Sequence, residues 1–245
     1  MPQLIESVPL SDTVEQYGKF EVRLELSAAF DNPYDYEQVA VSAVFTGPGG
    51  AEKGVDGFFM QAYEMDTGDG ALTPDGPGGF RVRFAPDRPG EWSYRLSVTD
   101  RHGTVWSEER SFSCLAAAAP ENKGFVRAGA TNYLHFDNGE QYIPVGENIA
   151  WPIGNAYLDY RDWLTALRAN GGNYFRLWHA HWGLGIEWRA GWRDFEGLRR
   201  YHQPNGRYQD WLFDFCAENG IYVMLCLQHH GQVSSQVNPN WVDSQ

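Results

Sequence analysis

The chain has 245 residues, of which 19 are basic and 32 acidic, so its formal net charge is −13. Hydrophobic residues make up 42% and aromatics 15%, enough for a packed core and too much for global disorder. The acidic balance excludes nucleic acid and an anionic membrane as main partners, since each needs a basic face, and no apolar run reaches the about 18–20 residues that span a bilayer.

Met1 to Phe20 shows no basic start followed by an apolar stretch, so no signal peptide is visible. That fits a cytoplasmic protein or a mature secreted one without its leader. Cys114, Cys216 and Cys226 are odd in number and lack C-x-x-C spacing. They argue against a disulfide framework or a zinc–cysteine site, with a single pairing left open.

Residues 19–114 read as strands. Phe20, Val22, Leu24, Leu26 and Ala28 alternate with polar neighbours, the period-two signature of a half-buried strand. The pattern returns at Val39–Phe45, Phe80–Phe84 and Trp92–Val98. Glycine- and proline-rich turns at 47–50, 74–79 and 88–90 separate these runs. Such punctuation predicts an antiparallel β-sandwich of immunoglobulin-like size. Ala116 to Pro120 then breaks the alternation and reads as a linker.

Beyond residue 124 the period changes. Tyr133–Phe136 and Gln141–Val145, joined through Asn138-Gly139, predict a hairpin whose second arm runs on to Gly146. Tyr160, Trp163, Leu164 and Leu167 share one helical face, so a helix is expected over 160–170, with Asp159 as N-cap and Gly171 as stop. Asn173–Trp178 reads as a strand and His179–Gly206 as a long connecting segment. A second helix is expected over 207–219. Ile221–Leu227 reads as a parallel strand covered on both faces. Strand–helix–strand–helix–strand implies parallel pairing, as at the start of a (β/α)8 barrel or a doubly wound sheet.

In such folds functional groups gather at the carboxyl ends of the parallel strands. Those ends offer Glu147, Asn148 and Trp151, then Arg176, Trp178, His179, His181 and Trp182, then Gln228, His229 and His230. Eight of the ten tryptophans follow residue 124, Trp188 and Trp192 among them. An indole ring, apolar on its face and polar at its N–H, suits the CH-rich face of a pyranose.

Gly171 to Trp178 (GGNYFRLW) resembles the second-strand signature of the cellulase-like clan (clan A) of retaining glycoside hydrolases, and Ile221 to Gly231 (IYVMLCLQHHG) resembles the third. Arg81 to Pro86 and Gly90 to Tyr94 are similar to an immunoglobulin-like domain of unknown function (the 5060 type) often fused ahead of such barrels. The resemblance implies a TIM barrel, an arginine at Arg176 that supports the nucleophilic carboxylate, and a substrate-contacting histidine near Gln228 or His229. Cys226 stands where the clan has an aspartate. The clan's two catalytic glutamates, which sit roughly 5–5.5 Å apart in retaining enzymes, follow strands four and seven and are expected downstream of Gln245.

The resulting expectation is an immunoglobulin-like sandwich at 1–115, a linker at 116–123 and, at 124–245, an incomplete (β/α)8 TIM barrel of about three parallel strands. The chain is then the N-terminal portion of a retaining glycoside hydrolase acting on O-glycosidic bonds of poly- or oligosaccharides. Asn148, Trp151, Arg176, Trp178, His179, Trp182, Gln228, His229 and His230 would bind carbohydrate, with no cofactor and no nucleic-acid or membrane partner. Two alternatives remain open: a metal-dependent hydrolase using His179, His181, His229 and His230, and a non-catalytic carbohydrate-binding module.

Overall fold

In the computed structural model, which describes residues 1–118, 122–130 and 132–228, the alternating runs of the N-terminal half become strands. They are β1 (Gln3–Pro9), β2 (Thr13–Glu15), β3 (Phe20–Ser27), β4 (Val39–Thr46), β5 (Glu52–Asp56) and β6 (Phe58–Met60). After a hairpin of β7 (Tyr63–Met65) and β8 (Leu72–Pro74) come β9 (Gly79–Phe84), β10 (Gly90–Asp100), β11 (Gly103–Trp106) and β12 (Arg110–Leu115). One sheet runs β1-β3-β9-β6 and a second runs β2-β12-β10-β4-β5, with β11 beside β10. All pairs are antiparallel except β2 with β12.

The two sheets share one core. Phe20, Val22 and Val82 from the first meet Phe45, Trp92, Tyr94, Leu96 and Phe112 from the second. Phe20 stacks on Phe112 with ring centroids 3.9 Å apart, and Phe45 on Phe84 at 4.1 Å. Glu21 is buried on β3 and takes hydrogen bonds from both Arg81 and Arg83 of β9. Burial raises the Glu21 pKa, but the two guanidinium partners outweigh it and hold the carboxyl below its usual range.

The chain groups into two compact units. One is Met1–Met60 with Gly78–Ile143; the other is Gln61–Pro77 with the described part of Pro144–Gln245. The hairpin segment therefore leaves the expected sandwich span of 1–115. Residues 124–143 leave the expected second domain. They form a small antiparallel sheet of β13 (Val126–Ala128), β14 (Leu134–Phe136) and β15 (Gln141–Tyr142).

The second unit holds β16 (Gly146–Glu147), α1 (Ala156–Ala169), β17 (Tyr174–Trp178), α2 (Gln203–Glu218) and β18 (Tyr222–Cys226). The strands pair in parallel in the order β16-β17-β18. Phe175 and Leu177 of β17 are fully buried with Tyr160 and Leu164 of α1 and Leu212 and Cys216 of α2.

The expectation of an incomplete (β/α)8 TIM barrel is overturned. The described residues hold two helices among five separate sheets, and the parallel strands make an open three-stranded sheet. Closing a barrel takes eight staggered strands. Here β16 is only two residues long, and among the described residues both β16 and β18 are edges. Edge position also overturns full cover for 221–227: Met224 is 49% and Leu227 69% exposed.

Both helices start earlier than their apolar periodicity indicates. Asn155, not Asp159, caps α1, its side chain accepting from Leu158 N–H. Asp159 instead accepts from the Ile153 and Gly154 N–H groups ahead of the helix. His202 caps α2, and Pro204 in the first turn fits a helix start. All three cysteines are free. Among the described residues no helix is long and apolar enough to cross a membrane.

Candidate functional site

β17 decides which side chains share a surface. Phe175 and Leu177 turn into the helix-side core, so Tyr174, Arg176 and Trp178 take the opposite face. Register sets Met224 beside Arg176 and Cys226 beside Trp178. The Tyr174 hydroxyl donates to Met224 Sδ at 3.0 Å. Arg176 Nε donates to Asn148 Oδ1 at 3.1 Å, and its guanidinium carbon lies 5.7 Å from the Trp178 ring centroid. Amide, guanidinium and indole thus form one row across β16 and β17.

Backbone bonds fix the carboxyl ends of the strands. Trp178 N–H donates to Ala150 C=O at 3.1 Å, and His179 N–H to Cys226 C=O at 2.9 Å. Trp151, 38% exposed, meets Trp178 at 5.5 Å and Trp182 at 5.6 Å between ring centroids. These three indoles make an aromatic corner next to the Arg176–Asn148 pair. A cavity of about 580 Å³ opens along β16 and α1; it is lined by Glu147, Asn148, Trp151, Trp163 and Leu167, among others. Asn148 and Trp151 belong to both features. Glu147 supplies the carboxylate in that lining. It pairs with Phe175 and not with Arg176, so the sheet places the two charged groups on different faces.

The other sequence-predicted residues divide. His179 turns toward α2: its Nε2 lies 2.9 Å from Gln209 Oε1, and the Gln209 amide donates to Leu184 C=O at 2.6 Å. Burial, opposed by the Gln209 bond, holds the His179 pKa below the usual histidine value. The ring therefore stays neutral and ties the strand end to the helix. His181 lies flat against Trp188 at 3.9 Å, with Trp182 and Trp192 edge-on. Gln228 is exposed past β18. His229 and His230 lie outside the described residues. Among the described residues no three His, Cys, Asp or Glu side chains gather as a metal-binding group.

Sequence reasoning missed the struts beneath the corner. Asn205 Nδ2 donates to Gly185 C=O at 2.6 Å and to Gly183 C=O at 3.3 Å. Gly183 packs on Trp151, where an added Cβ would stand 2.9 Å from the Trp151 Cβ. The missed signal was Pro204, which marks a helix start four residues before the expected one.

Residues 13–99 match the family described as Domain of unknown function (DUF5060). No curated protein matches the chain. Among solved structures, a "putative glycoside hydrolase" from Bacteroides vulgatus ATCC 8482 is similar with a TM-score of 0.62 at 19% identity, over 93% of this chain and 45% of that one. This chain thus spans less than half the length of that protein, and the likeness is one of fold. A lipoprotein from Bacteroides thetaiotaomicron (15% identity, 48% of this chain, 84% of that one) and a "putative alpha-galactosidase" from Bacteroides fragilis NCTC 9343 (12%, 91% and 36%) both have TM-scores of 0.23.

Proposed function

We propose that this chain is the carbohydrate-binding part of a glycoside hydrolase acting on O-glycosidic bonds of poly- or oligosaccharides. The observation that carries the reading is the aromatic corner of Trp151, Trp178 and Trp182 beside the Arg176–Asn148 pair. Indole faces pack on the apolar face of a pyranose, while a fixed amide and guanidinium address its hydroxyls. Gln228, exposed past β18, would add a further saccharide contact. His179 supports it through Gln209. The likeness in fold to a protein described as a glycoside hydrolase points the same way.

The test is calorimetric titration of the purified chain with cellohexaose, xylohexaose, mannohexaose and laminarihexaose. At least one should bind, and Trp151→Ala should weaken it roughly tenfold. Absence of binding to the whole panel, or undiminished binding by both Trp151→Ala and Trp182→Ala, would overturn the reading. Release of reducing ends from the hexasaccharide that binds separates a hydrolase from a binding module.

A further inference from the structure

Trp182 leads directly into a stretch of chain that has no regular structure of its own. Residues 183–186 are held by the start of α2: Asn205 binds the Gly183 and Gly185 carbonyls, Gln209 binds the Leu184 carbonyl, and His202 N–H binds the Ile186 carbonyl at 2.7 Å. Four successive residues are thus gripped by one helix terminus. That terminus is in turn organised by a titratable cap, since His202 Nδ1 accepts the backbone N–H of Asn205 at 3.2 Å.

We propose that His202 is a proton-sensitive clamp on the carbohydrate site: protonating its ring uncaps α2, releases Asn205 from the 183–185 carbonyls and loosens the Trp182 side of the aromatic corner. The proposal rests on the saccharide-binding reading for its functional consequence, but the release itself does not.

The physical argument has two independent parts. A protonated imidazole carries N–H on both nitrogens, so Nδ1 can no longer accept the Asn205 bond. The new charge also sits at the positive end of a helix dipole, where a cation is disfavoured. The charged groups facing the ring are Asp194 and Glu196 of the preceding loop, which favour protonation. The Phe195 ring packs on His202 at 4.9 Å between centroids, titratable Tyr201 precedes it in the chain, and Gln203, Pro204 and Asn205 form the first helical turn beyond it. Burial is the largest influence and outweighs the two carboxylates, holding the His202 pKa below the usual histidine value. The sign follows. The clamp is fully present above the unfolded-state value of about 6.5 and is lost as pH falls through the lowered native value.

Hydrogen exchange of the ligand-free chain, compared at pH 7.5 and 5.0 after correction for intrinsic rates, is the direct test. Peptides within 180–206 should lose protection about fivefold at the lower pH, the size of one lost cap. His202→Asn and His202→Ser, which cap without titrating, should keep that protection at both values. Equal pH response in wild type and both variants, or none in wild type, would overturn the proposal. The hexasaccharide that binds at pH 7.5 should bind wild type about fivefold more weakly at pH 5.0 and bind His202→Asn equally at both. If exchange behaves as expected and no sugar binds, the clamp stands and the saccharide reading falls.

Discussion

The sandwich and the parallel sheet solve the same problem differently. In the sandwich two sheets bury each other's apolar faces, and Val22, Val82, Phe45 and Leu96 are all at 0% exposure. In the second unit α1 and α2 cover one face of the sheet, and the other carries Tyr174, Arg176, Trp178 and a half-exposed Met224. Parallel sheets are ordinarily covered on both faces. The contrast is one of packing: the sandwich closes its core from both sides, whereas among the described residues the second face of the parallel sheet leaves polar and aromatic side chains partly exposed.

Substitutions that test this division should differ most in the sandwich. Phe45→Ala removes a ring stacked on Phe84 and should cost about 4 kcal/mol, read from urea unfolding. Glu21→Ala leaves Arg81 and Arg83 facing each other and should cost about 3 kcal/mol. Because the Glu21 pKa is lowered in the fold, its contribution is present above the unfolded carboxyl value and is lost as pH falls through the native one. Glu21→Gln should therefore flatten the acid limb of the stability profile.

Within the second unit, Gly70 has φ +76° and an added Cβ would lie 2.3 Å from Tyr157 Cβ, so Gly70→Ala should cost about 2 kcal/mol. Met224→Ala on the open face should cost about 1 kcal/mol or less. If Met224→Ala proves as damaging as Phe45→Ala, the distinction between closed and open faces fails.

The strands of the sandwich core were legible because period-two alternation is a direct image of two-sided packing: Phe20 to Leu24 and Phe80 to Phe84 read inward and outward as they fold. Short pieces such as β2, β6 and β8, three residues each, carry too few side chains to show a period. Helix starts were missed because capping is a matter of one hydrogen bond. Asn155 and His202 lie outside the apolar pattern that defines their helices. The barrel expectation came from motif resemblance, and three local strands do not dictate closure. At the site, Tyr174, Arg176 and Trp178 follow from alternation. The Asn205 and Gln209 struts reach across some twenty residues of loop that local periodicity cannot register.

The segment Gln61–Pro77 belongs by contact to chain made much later. Tyr157 and Tyr208 donate their hydroxyls to the Thr67 and Gly70 carbonyls, and the Asn155 side-chain amide donates to the Asp69 carbonyl. A ribosome emits those partners only after the sandwich strands are complete. At synthesis rates of about 5–20 residues per second, the hairpin waits several seconds as a loop before the helices that hold it exist. Translation order therefore makes the sandwich the first body to form, and the second cannot be finished from its own contiguous stretch of message.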